Sequence, residues 1–340
     1  MKKNEQHITI ADIAKKANVS KTTISRYLNE KYEYMSSETR EKISAIIKET
    51  NYRPNKFAQG LKSKKSHFIG ISLADIGNPY SALMLKGIND YCKKNHFQMI
   101  ITNADNDQVT EKQNIESLID TNVEGLLINA TGYNQALLDQ LIDQGVPVVL
   151  LDRSTENRIC DAVTTNDAVI MQSLLEHLIT NGFRSFIYIT ENIQKISTRF
   201  IRQSCFHHFI SCNDEIYGKT YTVDINKKAD IKTIIRREYQ DHINEQPVII
   251  AANGEVLQVI LECLYALDLS IPNQMGLCGF GDPNWTKLTH PSITVIDQNA
   301  FAIGQKAMEC LALRLTGDRA LPEHFEIPGT LLIRQSTKRM

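Results

Sequence analysis

The sequence predicts an α/β protein, an N-terminal all-α helix-turn-helix head followed by a two-lobed, doubly wound parallel-sheet body. Three observations carry this expectation. Residues 9–29 hold two short helical periods around a break, and from His67 onward short apolar runs alternate with helical stretches. Charge also divides the chain unevenly. Residues 1–66 contain fifteen Lys or Arg against seven Asp or Glu, a net of +8, which leaves −9 on the other 274. A basic head on an acidic body points to an anionic polymer bound at one end only.

In TIADIAKKANVSKTTISRYLN, Ile10, Ile13, Ala14 and Ala17 share one helical face. Asn18-Val19-Ser20 breaks the period, and Ser20 is placed to cap a second helix from Lys21. Ile24 and Leu28, four apart, can pack back on Ala14 and Val19. The polar residues Lys21, Thr22, Thr23, Ser25, Arg26 and Asn29 are then left facing outward, the arrangement that enters a DNA major groove. A third helix follows, with Ser37 as its expected cap and Ile43, Ile46 and Ile47 as its buried stripe. Arg40 and Lys42 suit phosphate contacts. Tyr32 and Tyr34 either brace the head or lie near the sugar-phosphate edge.

Residues 1–52 form the head and 53–66 a linker, RPNKFAQGLKSKKS, in which Phe57, Ala58 and Leu61 mark one face of a short helix. So short a segment has little helical stability alone. Ordered on DNA, it would place Leu61 in the minor groove as a kinking wedge; the alternative is a solvated basic linker.

The body, 67–340, reads as repeated β-α units with apolar strands, hence a parallel sheet covered on both faces. Strands are expected at 67–75, 98–104, 125–131 and 147–152, with helices at 80–96, 111–123 and 134–145. A second series starts near Asp161, with helices at 167–181, 199–212, 230–239 and 254–268. Its strands are expected at 183–190, 221–225, 247–253 and 276–281. Residues 292–317 supply a further strand and long helix, and 325–336 close the chain. Two comparable halves favour a ligand cleft between them.

Composition narrows the function classes. An apolar fraction of 42% without a run of transmembrane length describes a globular chain with no membrane partner. MKKNEQHITIAD passes directly into the first helix, with no secretory leader, so a cytoplasmic protein is expected. Seven scattered cysteines without CxxC read as core residues rather than disulfides or zinc ligands. No phosphate loop, dinucleotide fingerprint, nucleophile elbow or HExxH motif is present, so no catalytic residue, cofactor or metal is assigned.

The chain resembles the lactose/galactose-repressor family of bacterial transcription regulators over essentially its full length. The resemblance rests on the helix-turn-helix block with SSETREKI, NYRPNKFAQGLKS, IGISLADIGNPY, EGLLI, PVVLLDR, HLITNGF, GFGD and ITVIDQ. Within the family, EKYEYMSS, AANGE and GFGDPNW are most similar to repressors of hexuronate or 2-keto-3-deoxygluconate breakdown. The resemblance implies a homodimer on a palindromic double-stranded operator and a body like a periplasmic sugar-binding protein. The chain would cross between lobes near 163–166, 295–298 and 324–328, giving an N-subdomain of 67–163 plus 297–325 and a C-subdomain of 164–296 plus 326–340. Carried over by position, Lys21, Thr22 and Arg26 read bases, and Thr23, Ser25 and Asn29 hold phosphate or support positions. Asn55, Ala58 and Leu61 contact DNA from the linker, with Leu61 intercalating.

The same resemblance places Asp75, Tyr80, Arg199, Arg202, Asn253, Asp282, Trp285 and Gln298 in the ligand pocket. Two positions depart from the family pattern: Cys205 stands for its usual Gly, and Gly281 for its usual pocket Asp. A cleft that loses a carboxylate while keeping Arg202 favours an anion, so an acidic sugar is the expected effector. Arg199 and Arg202 also fit ordinary salt bridges, and Trp285 either stacks on a sugar or caps the cleft. The function expected is a repressor of a carbohydrate catabolic operon. Its rivals are a two-lobed sugar-processing enzyme with a fused DNA-binding head and a purely architectural DNA binder.

Overall fold

The computed structural model describes residues 8–53, 66–155, 157–193, 195–281 and 284–338. The chain divides into two compact units, Met1–Ser66 and His67–Met340.

In the head, α1 (Ile10–Ala17), α2 (Lys21–Leu28) and α3 (Ser37–Thr50) pack around Ile13, Ala14, Ala17, Ile24 and Ile43. Their ends are closed by side chains. Thr9 and Asp12 form a reciprocal capping box, with Thr9 N–H donating to Asp12 at 2.9 Å. Asn18 takes the left-handed conformation that stops α1, at φ 58°. Ser20 Oγ accepts the Thr23 N–H at 3.1 Å, closing the start of α2. The cap of α3 is Ser36, one residue before the serine expected, with Oγ accepting from Thr39 N–H at 3.2 Å. Consecutive serines offer equivalent hydroxyls, and only the backbone path selects between them.

The body contains two six-stranded sheets. The first takes β1 (Phe68–Leu73), β2 (Gln98–Asn103), β3 (Gly125–Ile128), β4 (Val148–Leu151), β5 (Asp161–Thr165) and the late β11 (His324–Ile327), in the order β11-β5-β4-β3-β1-β2. The second takes β6 (Ser185–Thr190), β7 (Tyr217–Thr222), β8 (Val248–Ala251), β9 (Gly276–Phe280), β10 (Thr294–Asp297) and β12 (Thr330–Leu332), in the order β12-β10-β9-β8-β6-β7. All neighbours are parallel except β10 with β12.

The covering helices are α4 (Pro79–Lys94), α5 (Gln108–Asp120) and α6 (Gln135–Asp143), then α7 (Asp167–Thr180), α8 (Ser197–Ser211), α9 (Lys228–Asp241), α10 (Gly254–Ala266) and α11 (Ala300–Leu315). Although α11 follows a strand of the second sheet, it buries Ile303, Ala307 and Leu311 against Ile69, Ile71 and Val149 of the first. It crosses α4 so closely that a Cβ on Gly304 would stand 2.1 Å from the Met84 carbonyl oxygen.

Two elements differ from expectation. β5, DAVTT, has no counterpart among the expected strands, because its Asp and Thr residues dilute the apolar signal. Its Asp161 is buried but receives two bonds from Arg314, at 2.7 and 2.8 Å. β7 starts at Tyr217 rather than 221, a half-exposed edge strand with little hydrophobic signature. The chain changes lobe after Thr165, after Asp297 and after Ile327. These points fall inside the expected crossing segments 163–166, 295–298 and 324–328, one or two residues after the expected subdomain boundaries, because β5, β10 and β11 each run to the end of their ladder before leaving the sheet.

Candidate functional site

On α2, Lys21, Thr22, Arg26 and Asn29 are exposed, while Thr23 and Ser25 are half-buried. Thr23 spends its backbone N–H, and a hydroxyl contact at 2.9 Å, on Ser20. Asn29 Nδ2 donates to the Ser25 carbonyl at 2.8 Å. Thr23 and Asn29 thus close the two ends of the helix, Ser25 lending its backbone carbonyl, and Lys21, Thr22 and Arg26 remain as its outward chemistry. The Arg26 guanidinium lies 4.8 Å over the exposed Tyr34 ring, and that of Arg40 lies 3.9 Å over Tyr32, which also meets Tyr27 edge-on. Tyr32 therefore braces the head. Among the described residues none of these arginines has a carboxylate partner. Asn55, Ala58 and Leu61 lie outside the described residues.

In the body a cleft of about 810 Å³ opens between the two lobes. It is lined by Asp75 after β1, Asp152 and Arg153 after β4, Asn253 after β8, Gly281 after β9 and Gln298 after β10. All stand just beyond the carboxyl ends of parallel strands, where backbone groups are released from the ladder and side chains converge. Tyr80, Arg199, Arg202 and Trp285 line it too. Asp282 lies outside the described residues.

Nearly all of these polar groups have a protein partner. Tyr80 donates its hydroxyl to Asp152 at 2.7 Å, and burial beside that carboxylate holds the phenol well above its usual pKa. Asp75 accepts the Gly77 N–H at 2.7 Å. Arg199 and Asn253 both donate to Glu191 Oε2, at 2.6 and 2.8 Å. Asn253 also caps α10. Gln298 is buried against Thr165 at a lobe crossing. Trp285 is partly buried and rests on the apolar cluster beneath α9 and α10, so it packs as well as lines.

Arg202 is 3% exposed, donating Nε–H to Asp167 Oδ1 and Nη1–H to the Ala252 carbonyl, both at 2.8 Å, with its guanidinium 3.9 Å over the Phe280 ring. Burial pushes Asp167 up to about 6 against the pull of Arg202, so the pair is ionised at neutral pH. Arg202 thus has a carboxylate partner in Asp167, and Gly281 does not leave that arginine unpaired.

Asp152 and Arg153, the end of the PVVLLDR stretch, line the same cleft, and Asp167 and Glu191 are the partners of its Arg202 and Arg199. None of the four is among the site residues expected from the sequence; Asp152-Arg153 and Glu191 directly follow the apolar runs VVLL and SFIYIT. The lobes meet beside these residues. Ser154 N–H donates to Ser197 Oγ at 2.9 Å, Lys195 Nζ lies 5.2 Å over the Tyr133 ring, and at Gly132, with φ +91°, a Cβ would reach the Lys195 carbonyl oxygen at 2.0 Å.

Residues 9–55 match the family described as bacterial regulatory proteins, lacI family; residues 69–183 match a periplasmic binding protein domain and 175–337 a periplasmic binding protein-like domain. The HTH-type transcriptional regulator KdgR of Bacillus subtilis (strain 168) is 35% identical over 98% of this chain and 99% of its own. The chain belongs to the lacI family. A second relative, the HTH-type transcriptional regulator PtxS of Pseudomonas plecoglossicida, is 28% identical over 97% of this chain and 96% of its own. The fold is that of a Lac repressor dimer bound to operator and the anti-inducer ONPF, at TM-score 0.83 and 20% identity, covering 98% of this chain and all of that one. This lacI-family member is a DNA-binding transcriptional repressor of sugar catabolism, and its relatives are regulators rather than enzymes. Among the described residues no helix is long and apolar enough to cross a membrane.

Proposed function

We propose that this repressor binds a palindromic operator as a homodimer in the bacterial cytoplasm, becoming nucleoid-associated there, and that an acidic sugar in the interlobe cleft sets its operator affinity. Lys21, Thr22 and Arg26 read bases, with Thr23, Ser25 and Asn29 supporting them and Asn55, Ala58 and Leu61 acting from the linker. Asp75, Tyr80, Asn253, Asp282, Trp285 and Gln298 position the sugar, Arg199 and Arg202 offering their remaining N–H donors to its oxygens. The observation that carries the reading is the concentration of three guanidiniums around one strand-end cleft, a chemistry suited to carboxylates. The likeness to the regulator KdgR, which spans almost the whole of both chains, supports the same division into reading head and sensing body.

The coupling is a bias between two lobe arrangements. A ligand that touches both lobes stabilises one of them, and a differential of a few kcal/mol is enough to switch operator occupancy. A thermal-shift screen of sugars and sugar acids tests the ligand class. A rise in melting temperature is expected with an aldonate or 2-keto-3-deoxyaldonate. A rise only with neutral sugars refutes the acidic effector.

A further inference from the structure

The three cleft guanidiniums are not equivalent. Arg202 is matched by Asp167 at 2.8 Å and Arg199 by Glu191 at 2.6 Å. Arg153 donates Nη1–H to the Ala130 carbonyl at 2.7 Å, but among the described residues no carboxylate lies within ion-pair distance of it. Its Nε is buried and has no hydrogen-bond partner. Asp152, its neighbour in sequence, is engaged by the Tyr80 hydroxyl. An enclosed guanidinium without an ion pair is costly, and an anion in the cleft that Arg153 lines would neutralise it.

Arg153 belongs to the first lobe, whereas Arg199 and Arg202 belong to the second. The Ser154–Ser197 bond brings the two lobes together next to Arg153, and Arg199 sits two residues beyond Ser197 on the first turn of α8. Burial disfavours the Arg153 charge most; the Asp152 carboxylate acts against that, Arg199 adds to it across this junction, and Glu111 and Glu191 again favour the charge. An anion placed between Arg153 and Arg199 is attracted by both.

We infer that Arg153 is the receptor for the carboxylate of the acidic effector, gripping it from the first lobe opposite Arg199, so that the ligand's negative charge fastens the lobes together. The inference rests on the acidic-sugar reading and names its specificity-determining residue. Arg202, already neutralised, then serves the sugar's hydroxyls.

The test is calorimetric titration of the full chain with 2-keto-3-deoxygluconate and with its methyl ester, which has the same shape without the charge. Wild type is expected to prefer the acid by about 100-fold, the size of a lost bidentate charge-assisted contact. Arg153→Gln is expected to bind acid and ester alike, and Arg153→Lys to keep part of the preference because it retains a point charge. If wild type binds neither this acid nor any other sugar acid, the acidic-effector reading falls and this inference with it. If wild type prefers the acid and Arg153→Gln keeps that preference, only the role of Arg153 is overturned. Should Arg153→Gln not fold, Arg153→Lys decides: at least a tenfold loss on the acid supports the inference, and unchanged affinity overturns it.

Discussion

The outward face of α2 and the wall of the cleft are both polar, yet they are built in opposite ways. On α2 the polar residues are neighbours in sequence, point away from the Ile13–Ile24–Ile43 core, and leave Lys21 and Arg26 without carboxylate partners among the described residues. In the cleft they come from strand ends as far apart as Asp75 and Gln298, and almost every one is already bonded to protein. An exposed reader therefore contributes to binding and little to folding. A cleft residue supports the fold as well as the ligand.

The largest test of that contrast is Arg202→Ala. Removing it leaves Asp167 buried and uncompensated, and urea unfolding should show a loss of about 3–5 kcal/mol. Unchanged stability would mean that the pair is structurally idle. Arg26→Ala should do the reverse: operator affinity falls roughly ten- to a hundredfold in a fluorescence-anisotropy titration, while the melting temperature hardly moves. A melting loss comparable to that of Arg202→Ala would erase the distinction between the two regions.

A smaller effect concerns pH. Asp167 binds its proton more tightly in the folded protein, at about 6 against an ordinary 3.8. Its contribution to stability is therefore full below 3.8 and is lost as pH rises through about 6. Asp167→Asn should flatten the stability–pH curve across that window, and the cost of Arg202→Ala should shrink at pH 5, where Asp167 can protonate. Curves that stay parallel for wild type and Asp167→Asn would contradict the assignment. The smallest effect expected is that of Ser20→Ala, about 1 kcal/mol from the lost cap of α2, read as a lower melting point of the head by circular dichroism.

The head is legible in the sequence because its determinants are local. The Ser20 cap, the break at Asn18 and the spacing of Ile13, Ala17 and Ile24 all act within one or two turns. The β-α rhythm of the body is legible for the same reason, wherever strands are buried on both faces. β5 and the start of β7 escape because one carries a buried ion pair and the other is a half-exposed edge. In the cleft, Asp75, Tyr80, Arg199, Arg202, Asn253, Trp285 and Gln298 do line one cavity, but nothing local to them in the chain announces their partners.

Hydrophobic period, capping residues and the division of charge are thus sufficient to establish a DNA-reading head on a two-lobed α/β body. Pairing is settled only in three dimensions. Asp167 and Arg202 are 35 residues apart, and Arg314 reaches Asp161 across 153. Periodicity records which side of an element is buried, but which charge neutralises which depends on where separate elements bring their ends. That is why Arg202 emerges with a carboxylate partner and Arg153, among the described residues, with a backbone carbonyl instead.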